Sequence, residues 1–358
     1  MKLRLKPSVN WLLLFVPIAF LLSWTEAPIL WVFFVAAISI IPVSVLIGKS
    51  TEQLTAYTSD AVGGLLTATF GNLPELIIGM IALKAGLYEM LLATMAGAII
   101  ANLLLVLGLS FLVCGIKFHS TEYNSGSVRV YSSMMLVATI SLMVPSAFNK
   151  FEGNEGFSAE ERNLNIGLAI ALLLGYILYL VFMLKTHPHF FKTKLEDTES
   201  NHTPHWSLRK SLIMLLFSST LVAFLSEILV GAAEETGHLL NMSSVFIGII
   251  FIAIVGAAGN IPAVVVASKG KMDLSIGIIM GSAIQIALFV APLLSLCSLF
   301  LGPQQLALEF SRLLIMTIFL SVLLGTVIAG DGIGNWYKGV QLLIMYLIIG
   351  MMFFLAPH

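Results

Sequence analysis

The hexapeptide GNLPEL, residues 71–76, recurs as GNIPAV, residues 259–264, in the second half of the chain. Each copy lies inside a long apolar run. Downstream of the two copies, Glu89 and Asp273 each precede a pair of small residues by eight positions. Glycine and proline interrupt a helix and leave backbone groups free for other partners. The pattern therefore predicts two related units, each with one broken helix.

The composition is that of a membrane protein. Of 358 residues, 58% are hydrophobic and 10% are charged, and the mean hydropathy is +1.00. Soluble domains use about 25% charged residues, so a water-soluble globular protein is excluded. The formal net charge of −1 provides no positive field for nucleic acid. We expect the partners to be the lipid bilayer and small solutes, with no nucleic acid.

Eleven apolar runs are candidates for membrane helices, which need about 20 apolar residues to cross the hydrocarbon layer. These runs cover residues 10–24, 27–48, 54–83, 87–116, 129–148, 163–185, 209–233, 243–268, 273–301, 305–329 and 336–356. The predicted fold class is therefore an all-α polytopic membrane protein with about 11 transmembrane helices.

The basic residues predict the orientation of these helices, because Lys and Arg collect in cytoplasmic loops. A cytoplasmic N-terminus places fourteen of them inside: Lys2, Arg4, Lys6, Lys49, Lys117, Arg129, Lys185, Lys192, Lys194, Arg209, Lys210, Lys269, Lys271 and Lys338. Only Lys84, Lys150 and Arg162 then lie outside. The two GN copies cross the bilayer in opposite directions, which makes them an inverted repeat. Transporters built in this way bind their substrate near the midplane, on helices broken by Gly or Pro.

Acidic residues inside a span indicate function, because a buried charge costs roughly 2.5–3.5 kcal/mol even on the lenient insertion scale. Glu75 is the strongest candidate, since it follows Asn72 and Pro74 at the first break. Glu227 is a second candidate carboxylate, with a structural, hydrogen-bonded acid as the alternative. Pro74 and Pro262 are the predicted helix breaks.

Amide and hydroxyl side chains in neighbouring spans add oxygen ligands. The predicted cation and proton site contains Glu75 as the metal ligand together with Gly71, Asn72, Asn102, Asn260, Ser282, Gln285 and Glu227. Hard cations such as Ca²⁺ prefer several oxygen ligands. Low dielectric favours the protonated form of a carboxylate, whereas a bound cation favours its ionised form. Proton and cation therefore compete for one group, which is the basis of exchange.

These motifs resemble the Ca²⁺/H⁺ antiporters of the calcium/cation antiporter superfamily. The stretches that carry the resemblance are residues 51–79, 83–111, 226–231, 246–256 and 271–294. The resemblance implies a first helix outside two inverted five-helix repeats, with Ca²⁺ and H⁺ as transported ions and no cofactor. It assigns Glu75 to the first-repeat acid and Asn72 to its amide. It also assigns Asn102, Ser282 and Gln285 to the cation path.

The chain departs from the family in its second repeat. Antiporters of this kind carry a second Gly-Asn-x-x-Glu followed by His, but here either Ala263 or Gly259 stands where the acid belongs, depending on the register. In the second register Asn260 replaces the His. Three interpretations follow: a variant with impaired exchange, an exchanger of different cation preference or stoichiometry, or a site in which Glu227 supplies the missing acid. A transport-incompetent homologue that acts as a membrane partner or regulatory subunit is the alternative function.

The sequence also predicts a domain organisation. The N-terminal helix and the first helix of repeat 1 occupy residues 1–48, and the remainder of repeat 1 occupies 49–185. A cytoplasmic linker over 186–208 precedes repeat 2 over 209–358. No zinc-protease or phosphate-loop motif occurs, so we expect a secondary transporter rather than an enzyme. A prokaryotic plasma membrane is the expected location, a vacuolar membrane is the alternative, and a homo-oligomer is compatible with the sequence.

Overall fold

The computed structural model describes residues 9–25, 27–58, 60–152, 159–191 and 206–356. Nine helices within these ranges are long and apolar enough to cross a bilayer. In chain order the helices are α1 (Trp11–Trp24), α2 (Ile29–Thr55), α3 (Asp60–Phe70), α4 (Leu73–Lys84), α5 (Tyr88–Phe118), α6 (Ser125–Glu152), α7 (Glu160–Thr186), α8 (Leu208–Leu240), α9 (Ser244–Ala267), α10 (Met272–Cys297), α11 (Arg312–Ala329) and α12 (Trp336–Leu355). The prediction of an all-α polytopic protein is confirmed.

The helices can be compared with the predicted spans. The short helices α3 and α4 together replace one long span, and α1 is a shorter apolar helix. The predicted repeat 1 corresponds to α2 to α7, and the predicted repeat 2 corresponds to α8 to α12. The first helices of the two repeats, α2 and α8, pack against each other along much of their length. The helices α5 and α10 form the buried centre of the molecule.

Glycines allow helices of the two repeats to approach each other closely. A Cβ atom on Gly97 of α5 would lie 2.4 Å from the Ile249 carbonyl oxygen of α9. A Cβ atom on Gly248 of α9 would lie 2.6 Å from the Met90 carbonyl oxygen of α5. Small residues of this kind let backbones pack directly in membrane proteins. The repeats are therefore joined by backbone contact at the centre of the fold.

The predicted span 305–329 is wrong over its first seven residues. The helix begins only at Arg312, and residues 305–311 have no helical structure. Leu306, Leu308 and Phe310 are buried in alternation with more exposed neighbours, which is the period of an extended chain. The Asn165 side chain accepts a hydrogen bond from the Leu308 N–H at 2.9 Å. Irregular backbone is tolerated at membrane depth when protein groups satisfy it in this way.

Several loops meet on one end of the bundle. The strands β1 (Ser120–Glu122) and β2 (Ile333–Asn335) pair there as antiparallel neighbours and connect the α5–α6 loop to the α11–α12 loop. The Asn124 N–H donates to Asp273 at 2.6 Å, and Lys117 donates to the Ser268 carbonyl at 2.9 Å. This end, called the basic face below, carries Lys49, Lys117, Lys210, Lys269, Lys271 and Lys338.

Candidate functional site

The first helix break lies between α3 and α4. Gly71 and Asn72 form a turn there, and Pro74 lies in the first turn of α4, where its missing N–H has no cost. A Cβ atom on Gly71 would lie 2.6 Å from the Thr67 carbonyl oxygen. The close approach of the backbone therefore requires glycine at this position.

The second break lies within α9. The α-helix is interrupted by a short 3₁₀ turn, Ala258–Asn260, and Pro262 lies in the first turn of the segment Ile261–Ala267 that follows. A Cβ atom on Gly259 would meet only Ser44 of α2, at 3.9 Å. The second break is therefore less crowded than the first.

Five predicted site residues converge in one group, called the amide cluster: Asn72, Asn102, Asn260, Ser282 and Gln285. Ser282 of α10 donates its hydroxyl to Asn72 Oδ1 at 2.6 Å. Asn72 Nδ2 donates to the Ser282 carbonyl and to Gln285 Oε1, both at 3.0 Å. The first break is thus tied to α10 by three hydrogen bonds.

The second break joins the same serine. Asn260 Nδ2 donates to Ser282 Oγ at 2.9 Å and to Asn102 Oδ1 at 2.8 Å. Asn102 Nδ2 also donates to Ser282 Oγ, at 3.2 Å. Asn102 lies in a π-helical segment of α5, and such segments are frequent at functional sites. Ser282 therefore connects the two breaks through a single hydroxyl group.

Glu75 is buried beside the first break, with 7% of its surface exposed. Its Oε2 has no hydrogen-bond partner among the described residues. The side chain lies against α9, because a Cβ atom on Gly256 would be 3.0 Å from Glu75 Cγ and 3.5 Å from Oε1. Gly256 gives the carboxyl group its space. Sequence reasoning missed it, since one more glycine in an apolar run carries no distinguishing signal.

Glu227 does not lie with the amide cluster. It is exposed in a groove of about 640 Å³ between α1 and α8, which is lined also by Phe20, Trp24 and Phe224. The preceding residue, Ser226, is fully buried. Successive residues of an α-helix point about 100° apart, so α8 turns Ser226 inward and Glu227 outward. The expectation that Glu227 faces the bundle interior is wrong for this reason.

The two candidate positions of the missing acid have different surroundings. Ala263 is fully buried in the second half of α9. Gly259 faces Ser44, whose buried hydroxyl has no hydrogen-bond partner in the described part of the chain. A side chain at residue 259 would therefore extend toward a vacant hydroxyl of α2.

A cavity of about 280 Å³ reaches the amide cluster from one side. Its lining includes Asn72, Asn260, Ser282 and Gln285, together with Thr67, Gly71, Tyr131, Tyr176, Tyr179, Leu180, Met183, Gly277, Ile278 and Gly281. Met183 lies in the last turns of α7, and the 3₁₀ segment after this helix, Pro188–Phe190, contacts the α5–α6 loop, where Asn124 Nδ2 donates to the Phe190 carbonyl. The cavity therefore extends from the cluster toward the basic face. No pattern in the sequence distinguishes the three tyrosines of the cavity from the other aromatic residues of the spans.

The comparison with known protein families agrees with this architecture. A family model described as sodium/calcium exchanger protein matches residues 28–185 and 210–355. The chain belongs to this family. The two matched stretches contain the two repeats, and the resemblance inferred from the motifs is confirmed.

Similar proteins are named as transporters. The chain is 38% identical to the Ca²⁺/H⁺ antiporter ChaA of Bacillus subtilis over 338 residues, which is 94% of each protein. It is 35% identical to the vacuolar calcium ion transporter of Schizosaccharomyces pombe, covering 98% of this chain and 85% of that protein. Membership in this family makes the chain a secondary transporter.

Solved structures show the same fold. Native YfkE superposes with a TM-score of 0.84 at 35% identity and covers 98% of this chain and 100% of its own. The H⁺/Ca²⁺ exchanger CAX superposes with a TM-score of 0.69 at 13% identity over 97% of this chain and 91% of its own. The inverted-repeat fold is therefore shared with exchangers of low sequence similarity.

Proposed function

We propose that the chain exchanges Ca²⁺ or a related cation for H⁺ by alternating access, with Glu75 as the group that both ions share. The observation that carries the proposal is the position of Glu75. It is a buried carboxyl group with a vacant oxygen, beside the first helix break and one turn from the amide cluster. Relatives named as antiporters support cation/proton exchange.

The chemistry follows from the competition at Glu75. A carboxyl group buried without a cationic partner favours its protonated form. A cation that arrives from the cavity would be bound by the ionised carboxylate and by amide, hydroxyl and carbonyl oxygens of the cluster. Binding of the cation requires loss of the proton, so the site is occupied by one or the other. Reopening to the opposite side then completes an exchange.

The cavity supports an assignment of sidedness. Its outer end lies under the basic face, and Lys and Arg collect on the cytoplasmic side of membrane proteins. We therefore assign the basic face to the cytoplasm, together with the N-terminus, and the structure to the inward-facing state. A prokaryotic plasma membrane is the proposed location. Homo-oligomerisation stays a prediction.

The test is proton-driven cation flux in proteoliposomes that contain Glu75→Gln or Glu227→Gln. Both variants replace one carboxylate by an amide of the same size, but only Glu75 adjoins the amide cluster. We expect Glu75→Gln to abolish exchange and Glu227→Gln to retain it. Exchange that survives in Glu75→Gln would contradict the proposal. Loss in Glu227→Gln alone would assign the shared acid to the α1–α8 groove instead.

A further inference from the structure

The charge of the site sets its stoichiometry. The amide cluster consists of three asparagines, one serine and one glutamine, all neutral, so Glu75 is the one carboxyl group beside the breaks among the side chains that the structure describes. Glu161, whose side chain is also buried, lies away from the breaks at the start of α7. The backbone carbonyl of Glu161 accepts a hydrogen bond from Asn165 Nδ2. Asn165 Oδ1 in turn accepts from the Leu308 N–H of the extended segment before α11.

The second repeat contributes no charge. Neither Ala263 nor Gly259 carries a carboxyl group. The side chain that the second break contributes to the cluster is Asn260, a neutral donor to Asn102 and Ser282. Glu227 lies in the separate groove between α1 and α8. The site therefore alternates between a protonated Glu75, with no net charge, and an ionised Glu75, with a charge of −1.

A low-dielectric site favours states without net charge, because an uncompensated buried ion has a large desolvation penalty. One monovalent cation neutralises the ionised Glu75 completely. One divalent cation leaves the loaded site with a charge of +1. The protonated and the monovalent-loaded sites are thus electrically equivalent, whereas the divalent-loaded site is not.

We propose that this site exchanges one monovalent cation, Na⁺ or K⁺, for one proton without net charge movement, and that this exchange is faster than exchange of Ca²⁺. The inference rests on the proposed antiport through Glu75 and specifies its preferred cargo. One proton leaves the Glu75 carboxyl group for each cation that binds, so charge balances at the site. Ca²⁺ moving through the same site carries one uncompensated positive charge per cycle.

Gly259 offers a way to reverse this preference. A Cβ atom there meets only Ser44, at 3.9 Å, and the buried Ser44 hydroxyl has no partner in the described structure. Gly259→Glu adds a second carboxylate on the side of α9 that faces Ser44, whose hydroxyl is a potential hydrogen-bond donor. Two carboxylates are neutralised by one divalent cation or by two protons. Gly259→Gln has the same shape and no charge, which makes it the matched control.

The experiment combines two readouts on reconstituted protein. Isotope uptake and an internal pH dye give the number of protons moved per ²²Na⁺ or ⁴⁵Ca²⁺, and capacitive currents on a solid-supported membrane report net charge. For the natural chain we expect one proton per Na⁺ with no current above Glu75→Gln. We expect Ca²⁺ exchange to be slower by about tenfold or more, equivalent to ~1.4 kcal/mol, and to carry current.

The outcomes separate the two proposals. Ca²⁺ exchanged for two protons without current, at a rate above that of Na⁺, would overturn the monovalent preference and leave the antiport through Glu75 intact. Silence with every cation, from protein that elutes as a folded species, would contradict the antiport itself. A shift from Na⁺ toward Ca²⁺ in Gly259→Glu and not in Gly259→Gln supports the charge argument. An equal shift in both variants would assign the preference to shape and contradict it.

Discussion

The break at Gly71–Asn72 and the break at Gly259–Asn260 meet at the same serine. Ser282 donates its hydroxyl to Asn72 and accepts hydrogen bonds from Asn260 and Asn102. In each break a proline lies in the first turn of the helix that follows. The difference is one residue after that proline, where the first break has Glu75 and the second has Ala263.

This difference separates two properties that an inverted repeat usually combines. Both repeats retain the residues that break the helix, namely a glycine, an asparagine and a proline. The charge is present in one repeat only. The hydrogen-bonded geometry of the two breaks therefore does not require a carboxylate in both repeats. The charge of the proposed cation site, and with it the proposed number of exchanged protons, does depend on the number of carboxylates.

The largest expected effect is the difference between the two faces of the membrane in the access of a thiol reagent to the cavity beside the breaks. Gly281 lines the cavity, and nothing lies within 4 Å of a Cβ atom built on it. We expect Gly281→Cys, in a chain whose Cys114 and Cys297 are replaced by Ala, to react with an impermeant thiol reagent from the basic face and not from the opposite face. Labelling in inside-out and right-side-out vesicles measures this. Labelling from the opposite face alone would contradict the assigned direction of the cavity.

The two glycines provide the next contrast. Gly71→Ala places a Cβ atom 2.6 Å from the Thr67 carbonyl oxygen, so we expect it to lower the free energy of unfolding by about 1–3 kcal/mol. Gly259→Ala meets only Ser44 at 3.9 Å, so stability should stay unchanged or rise by up to ~1 kcal/mol. Thermal unfolding in detergent compares them. Equal destabilisation would show that the two breaks are equally crowded.

A smaller effect is the coupling between the breaks. Asn72 and Asn260 do not hydrogen-bond to each other, yet both bond to the Ser282 hydroxyl. A double-mutant cycle of Asn72→Ala and Asn260→Ala should give a coupling free energy of about 0.5–1 kcal/mol, because shared networks are not additive. The same cycle in a Ser282→Ala background should give a value near zero. If the coupling free energy between Asn72 and Asn260 is unchanged in Ser282→Ala, the two breaks are not coupled through the Ser282 hydroxyl.

The smallest effect is expected outside both breaks, at the ion pair of Asp331 and Lys338 on the basic face. Partial burial would raise the pKa of Asp331, but the Lys338 hydrogen bond, the Ile333 N–H and the Lys338 charge hold it below its ordinary value. The pair therefore stabilises the fold above the unfolded pKa, about 3.9, and loses this effect as the pH falls below it.

Because Asp331 is 53% exposed, solvent weakens the pair. We expect Asp331→Asn to change stability at neutral pH by less than about 1 kcal/mol and to leave exchange unaffected. The difference from the natural chain should disappear on acidification. Thermal unfolding at several pH values measures it, and a loss of exchange would show that the basic face takes part in transport.

Much of the site follows from the sequence, because amides beside helix breaks are costly in a membrane unless they bind something. Asn72, Asn102, Asn260, Ser282 and Gln285 were predicted to meet, and the structure places them in one network. The repeat and its opposite direction followed from the GN copies and the basic residues.

The remaining features depend on packing that a linear pattern does not contain. The direction of Glu227 depends on the rotation of α8, because a carboxylate one residue from a buried serine looks the same in the sequence whether it faces inward or outward. Gly256 is important only through the side chain that it faces. Residues 305–311 have the composition of a helix, but their backbone is extended and satisfied by side chains such as Asn165.

In the proposed exchange, the Glu75 carboxyl group binds either a proton or a cation. This competition is measured as proton release on cation binding, in purified protein held in weakly buffered detergent with a pH-sensitive dye. We expect one proton released per cation bound by the natural chain and none by Glu75→Gln. No proton released by the natural chain, or one still released by Glu75→Gln, would contradict this role of Glu75.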